Sequence, residues 1–124
     1  MRKITFEELL IYHDLALLEG GLSGIKNEHL LLSAIETPFT TMYETELYPT
    51  DELKIAMTVC SLIKNHGFED ANKRTGILVF KVLLIDCDIN LNATEDDYVQ
   101  LALNIAQTYD KYDVEKWINS HKNN

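Results

Sequence analysis

Residues 50–86 read TDELKIAMTVCSLIKNHGFEDANKRTGILVFKVLLID, and this stretch decides the fold. Thr50 is placed to cap a helix, with Asp51 and Glu52 in the first turn, where the helix dipole favours acids. Leu53, Ala56, Met57, Cys60 and Ile63 then share one helical face, predicting a helix that runs to about Asn65. A polar hinge, His66 to Arg74, breaks the apolar pattern. From about Asn72 to Asp86 the chain is apolar on nearly all sides, which predicts the central buried helix.

The hinge is the chemically unusual part. HGFEDANKRT, residues 66–75, places a His, two carboxylates, an amide, a Lys, an Arg and a hydroxyl between two apolar helices. The second helix begins inside it, so N–H groups of its first turn lack intrahelical acceptors. With the helix dipole, Lys73 and Arg74, they form an anion pocket. A bare phosphate would be repelled by Asp70 beside that pocket. Asp70 makes sense as a ligand of a divalent cation, Mg²⁺, that bridges to phosphate oxygens. Histidine is the side-chain type suited to general-base work near neutral pH, which makes His66 the candidate base.

Working outward, Thr5-x-x-Glu8 forms a capping box before Phe6, Leu9, Leu10, His13, Ala16 and Leu17 at helical spacing. Gly20-Gly21 ends that helix. Asn27 to Glu36 reads as a second helix, stopped before Pro38. A further piece spans about Phe39 to Tyr43, and Glu44 to Pro49 reads as an exposed loop. Thr94-x-x-Asp97 opens a helix with Tyr98, Leu101, Ala102, Ile105 and Tyr109 inward. Asp113 opens the last, with Val114, Trp117 and Ile118. No strand is expected. The chain, 1–124, reads as a single all-α domain, a compact bundle of about six helices.

Composition narrows the function classes. The 124 residues carry 11 Lys+Arg against 20 Asp+Glu, a net charge of −9. Surface scaling gives roughly 6,800 Å² of folded surface, so one apolar core suffices. The acidic excess excludes a broad nucleic-acid binder but leaves room for one local anion site. Cys60 and Cys87 lie in apolar runs and read as buried reduced thiols, which fits a cytoplasmic protein. The longest apolar stretch, Ile77 to Ile89, is broken by Lys81, Asp86 and Asp88 and is too short to cross a bilayer. His13 reads as a core histidine, His29 and His121 as surface residues, and no HxxxH spacing suggests zinc.

HGFEDANKRT resembles the signature of the Fic/Doc family, HxFx[DE]GNGRxxR. It is most similar to the Doc (death-on-curing) toxin branch, with HxFx[DN][AG]NKRT. His13-Asp14, the turn Gly20-Gly21-Leu22-x-Gly24-Ile25, and Glu46 to Thr50 resemble that branch too. The resemblance implies that His66 deprotonates a target hydroxyl and that Phe68 anchors the motif loop. It implies that Asp70 ligates Mg²⁺ and that Asn72, Lys73 and Arg74 bind the phosphates of ATP. Lys73 stands where AMP-transferring members have a second glycine, and Ile77 where they have a second arginine. In the Doc branch that pairing implies phosphorylation of a threonine of elongation factor Tu, which stops translation. The alternatives are AMP transfer to a protein hydroxyl, or a catalytically inactive antitoxin-binding protein. Fic inhibitory helices carry [ST]xxxE[GN]; here Leu15 precedes Glu19-Gly20, so the resemblance implies silencing by a separate prevent-host-death type antitoxin.

Overall fold

The computed structural model describes residues 1–123. Among them run six α-helices: α1 (Phe6–Ala16), α2 (Glu28–Glu36), α3 (Asp51–Lys64), α4 (Asn72–Asp86), α5 (Glu95–Gln107) and α6 (Lys111–His121). Single 3-10 turns, Leu17–Glu19 and Thr37–Phe39, follow α1 and α2. The architecture is all-α, as the periodicity predicts. No helix of the described residues is long and apolar enough to cross a membrane.

Local chemistry explains where most helices begin. Thr5, Asn27, Thr50, Thr94 and Asp110 each accept a hydrogen bond from a first-turn N–H of the helix that follows. Three of these starts, at Thr5, Thr94 and Asp110, are full capping boxes. Each such cap stabilises its helix by about 1 kcal/mol. The exception is α4, whose N-cap is Ala71, with no side-chain cap.

The core lies between α3 and α4. α3 packs on α4 and α6 and also touches α2 and α5, while α1 packs on α4. Ile55, Val59 and Ile63 of α3 meet Val79, Phe80 and Leu83 of α4 in one buried cluster. The two helices approach closely at Gly76, where a Cβ would sit 2.6 Å from Ile63 Cγ1. Phe80 also packs against Tyr98 of α5 and Trp117 of α6, at ring distances of 6.1 and 5.9 Å. α4 is not buried all round. Ile85 is 77% exposed, and Ile77 and Leu78 are half-buried along a groove.

Four expectations need correction. Thr41–Met42 and Thr45–Glu46 form a small antiparallel hairpin, β1 and β2, across the expected piece Phe39 to Tyr43 and the expected loop Glu44 to Pro49, where no strand was predicted. Its turn residues Tyr43 and Glu44 both have positive φ, 51° and 66°. Such turns are normally signalled by Gly or Asn, so this one leaves no mark in the sequence. The hairpin's end is tied to α3 by buried Lys54, which donates to the Tyr48 carbonyl and pairs with Glu46 at 3.0 Å. The last helix starts at Lys111, with Asp110 as its cap and Asp113 completing the box. Cys87 is half-buried rather than buried, while burial pushes the Cys60 thiol up to about 12. His121 is half-buried too, stacked 4.0 Å from the Trp117 ring.

Candidate active site

The loop His66–Ala71 joins the two central helices and is bracketed by strain. His66 (φ 50°) and Ala71 (φ 62°) are both left-handed although neither is glycine. Each such residue costs roughly 1–3 kcal/mol unless its surroundings over-determine it. Here they do. Asn72 Oδ1 accepts from the Phe68 N–H at 3.1 Å, and Asn72 Nδ2 donates to the Phe68 carbonyl at 3.0 Å. The segment after α1 lies alongside as a strap. Lys26 and Asn27 N–H groups donate to the Gly67 carbonyl at 2.9 Å, and the Glu69 N–H donates to the Gly24 carbonyl at 3.0 Å. Gly67 has no room for a side chain, because a Cβ would lie 2.3 Å from Leu31 Cδ2.

Phe68 is 1% exposed and stacks flat on His13, with ring centroids 3.7 Å apart and planes 4° from parallel. It fills the place of an anchor. His66 is exposed at the end of α3, open to a bound partner. Asp70 is half-buried and its carboxylate is fixed from two sides. Oδ1 accepts from the Ala71 N–H at 2.8 Å and Oδ2 from the Leu22 N–H at 3.1 Å. Those bonds, Ala71 first, hold its pKa below the usual aspartate value, with the Arg74 charge adding to them.

Asn72, Lys73 and Arg74 do three different jobs. The buried side-chain amide of Asn72 is spent on Phe68, so the expected phosphate contact of this residue would be made by its backbone. Its backbone N–H remains at the helix start. The first intrahelical bond runs from Thr75 N–H to the Ala71 carbonyl, so the N–H groups of Asn72, Lys73 and Arg74 have no intrahelical acceptor. Lys73 is exposed. Arg74 donates from Nη1 to the Ala16 carbonyl at 2.6 Å, closing the end of α1 and fixing one face of its guanidinium.

Two further residues belong to the site although they lie outside the motif. Gly21 (φ 115°) sits so close that a Cβ would meet Asp70 Oδ2 at 2.8 Å and Arg74 Nη2 at 3.1 Å. His13 reaches the Asp70 carbonyl at 3.0 Å. The turn glycines and the early His-Asp pair were visible in the sequence; the contacts of Gly21 and His13 with Asp70 were not. From Lys73 and Arg74 a groove of about 540 Å³ runs along α4, walled by Leu15 of α1, Ile77 and Leu78 of α4, and Val99 and Leu103 of α5.

Among the described residues there is no cluster of three or more His, Cys, Asp or Glu able to cage a metal. A single fixed carboxylate beside an uncapped helix start instead fits Mg²⁺, which usually keeps waters and substrate phosphates among its ligands. An uncapped helix start, a lysine and an arginine fit the anionic ligand such an ion accompanies.

The Fic/DOC family profile matches residues 3–84, and the chain belongs to that family. Fic domains are typically nucleotide transferases that use ATP and usually Mg²⁺. No curated protein matches the sequence at a significant level.

Proposed function

We propose that the protein is a Doc-like toxin that transfers the γ-phosphoryl group of ATP to a threonine hydroxyl of elongation factor Tu. The observation that carries the phosphoryl reading is the pair Lys73 and Ile77. Lys73 stands exposed in the first turn of α4, where a glycine would let phosphates approach the backbone. Ile77, one turn on, gives the groove an apolar wall where AMP-transferring relatives place a second guanidinium.

His66 takes the proton from the attacking hydroxyl. The hydroxyl oxygen then forms the new bond to phosphorus as the bond to the leaving phosphate breaks. The α4 N–H groups, Lys73 and Arg74 hold the phosphates and offset the charge that builds on them. Asp70 would hold Mg²⁺, which supplies further charge neutralisation on phosphate oxygens.

The test is transfer from ATP labelled at either the α- or the γ-phosphate, with elongation factor Tu as acceptor. Label arriving from the γ-position and vanishing in His66→Tyr supports the kinase. Label arriving only from the α-position replaces it with AMP transfer. If wild type and His66→Tyr are equally inert in transfer and equally harmless on expression, only an antitoxin-binding role survives.

The same proposal includes a prevent-host-death type antitoxin. The groove's apolar walls and helical geometry suit an amphipathic segment laid between α1, α4 and α5. Such a segment would cover Lys73 and Arg74 at the groove's end and thereby silence transfer. Leu103→Glu should abolish that silencing and leave transfer by the free toxin unchanged.

A further inference from the structure

His13 lies on the inner face of α1, far from the motif in sequence and 3% exposed. Any apolar residue of that size would satisfy the core. Its contacts are more particular than core packing requires. The ring stacks on Phe68, and Nε2 lies 3.0 Å from the backbone oxygen of Asp70. A carbonyl oxygen only accepts, so Nε2 carries a proton and His13 is the donor.

That carbonyl belongs to the peptide joining Asp70 to Ala71. The N–H of the same peptide donates to Asp70's own Oδ1 at 2.8 Å. The peptide plane is thus gripped at both ends, by imidazole on the oxygen side and by carboxylate on the nitrogen side. Rotating it would swing the carboxylate away from the Leu22 N–H, which holds Oδ2 at 3.1 Å. The rotation would also move Ala71 out of its left-handed conformation and re-aim the first turn of α4.

We infer that His13 is a positioning residue that fixes the Asp70–Ala71 peptide, so that the Asp70 carboxylate and the open N–H groups of α4 face one ligand together. The inference rests on the proposed Mg²⁺-triphosphate reading of that pair. His13 acts on the ligand only through this peptide. It aligns the two halves of the site, an anion-side half made of N–H groups and a cation-side half made of carboxylate.

Two variants of the full chain separate this role from packing. His13→Phe keeps the ring against Phe68 and removes the donor. His13→Gln removes the ring and keeps an amide donor at comparable reach. The readouts are the backbone amide NMR shifts of Ala71, Asn72 and Lys73, the calorimetric Kd for Mg²⁺-ATP, and the melting temperature. His13→Phe should displace those amide signals and weaken Mg²⁺-ATP binding about tenfold, a size typical of supporting residues one shell out from a ligand. His13→Gln should recover most of the affinity even where it melts earlier. A packing role predicts the reverse order, with affinity tracking melting temperature. Amide shifts and affinity unchanged in His13→Phe would overturn the inference, as would His13→Gln losing affinity as fully as His13→Phe. Should wild type bind no Mg²⁺-ATP, the proposed function falls, and the amide shifts alone still decide the role of His13.

Discussion

Replacing Asn72 by Ala tests whether the motif's amide holds the loop or holds the ligand. In the structure Asn72 is 8% exposed and makes two bonds to one residue, from Phe68 N–H at 3.1 Å and to Phe68 C=O at 3.0 Å. Phe68 is itself sealed in the core, so water does not readily replace the lost partners. A buried polar group left alone costs about 1–3 kcal/mol, and two are orphaned here, so a loss of about 2–6 kcal/mol is expected. In a chain of this size that corresponds to a fall of roughly 10–20 °C in melting temperature. Asn72→Asp should cost as much or more, because a carboxylate can still accept from the N–H but faces the carbonyl with a second acceptor. The assay is urea unfolding of the ligand-free protein, with hydrogen exchange at the Phe68 amide as the local probe. The exchange should accelerate more than global unfolding explains, since the strained loop opens first. A ligand-free Asn72→Ala protein within 0.5 kcal/mol of wild type (about the scatter of surface substitutions), with Phe68 still protected, would refute the clip and return Asn72 to the phosphates.

Asp70 sets a pH dependence. Its carboxyl is held below the ordinary aspartate value by the Ala71 and Leu22 N–H groups, so its contribution to loop stability is complete above about pH 4 and disappears as pH falls through the lower folded pKa. Asp70→Asn should flatten the stability profile in that acidic window, and an NMR titration in which Asp70 shows an unshifted pKa would contradict the geometry. Gly21→Ala should destabilise by roughly 1–3 kcal/mol, because its left-handed backbone resists a side chain and the new methyl strikes Asp70 and Arg74; unchanged stability with an unchanged Asp70 titration would count against that contact. Lys54→Met should change global stability by less than about 1 kcal/mol, since the methionine fills the same space and Glu46 is left in water. The same substitution should speed exchange at the Leu47 amide, which donates to the Thr40 carbonyl across the hairpin, and full protection there would show that Lys54 does not hold the hairpin.

Elements whose causes are local in sequence were legible in it. Thr5, Asn27, Thr50 and Thr94 mark helix starts because each cap acts within three residues of itself. Phe68 was legible as a plug because it is a lone aromatic in a polar hinge. What stayed hidden depends on chain segments meeting from far away. The stack of His13 on Phe68 and the contact of Gly21 with Asp70 join residues about fifty positions apart, and no periodicity encodes such pairs. The hairpin turn at Tyr43–Glu44 was hidden for a different reason, since its left-handed backbone is borne by residues that rarely adopt it. The clip that Asn72 makes on Phe68 was not foreseen, because the same side chain can bind an anion or close a loop. Its placement four residues after a buried aromatic, just inside a helix without another cap, is the signal that distinguishes the two.

The family match starts at residue 3, well before His66, and so takes in the segments that hold the strained motif loop. Two left-handed residues bracket a loop that must also leave a helix start uncapped. None of these features would persist in an isolated helix–loop–helix. They persist because α1 supplies His13 and the Ala16 carbonyl, and because the strap from Gly20 to Asn27 supplies Gly21, the Leu22 N–H and the backbone pairs to Gly67 and Glu69. The matched segment, 3–84, contains every one of these contributors and ends within α4. α5 stands outside it, yet Val99 and Leu103 of α5 make the far wall of the groove that opens beside Lys73 and Arg74. On the proposed reading, phosphate chemistry and partner choice are therefore carried by different parts of the chain. The loop, α1 and α4 together fix the reacting groups. The face of α5 can change which segment docks without disturbing a contact on which Asp70 or the α4 start depends.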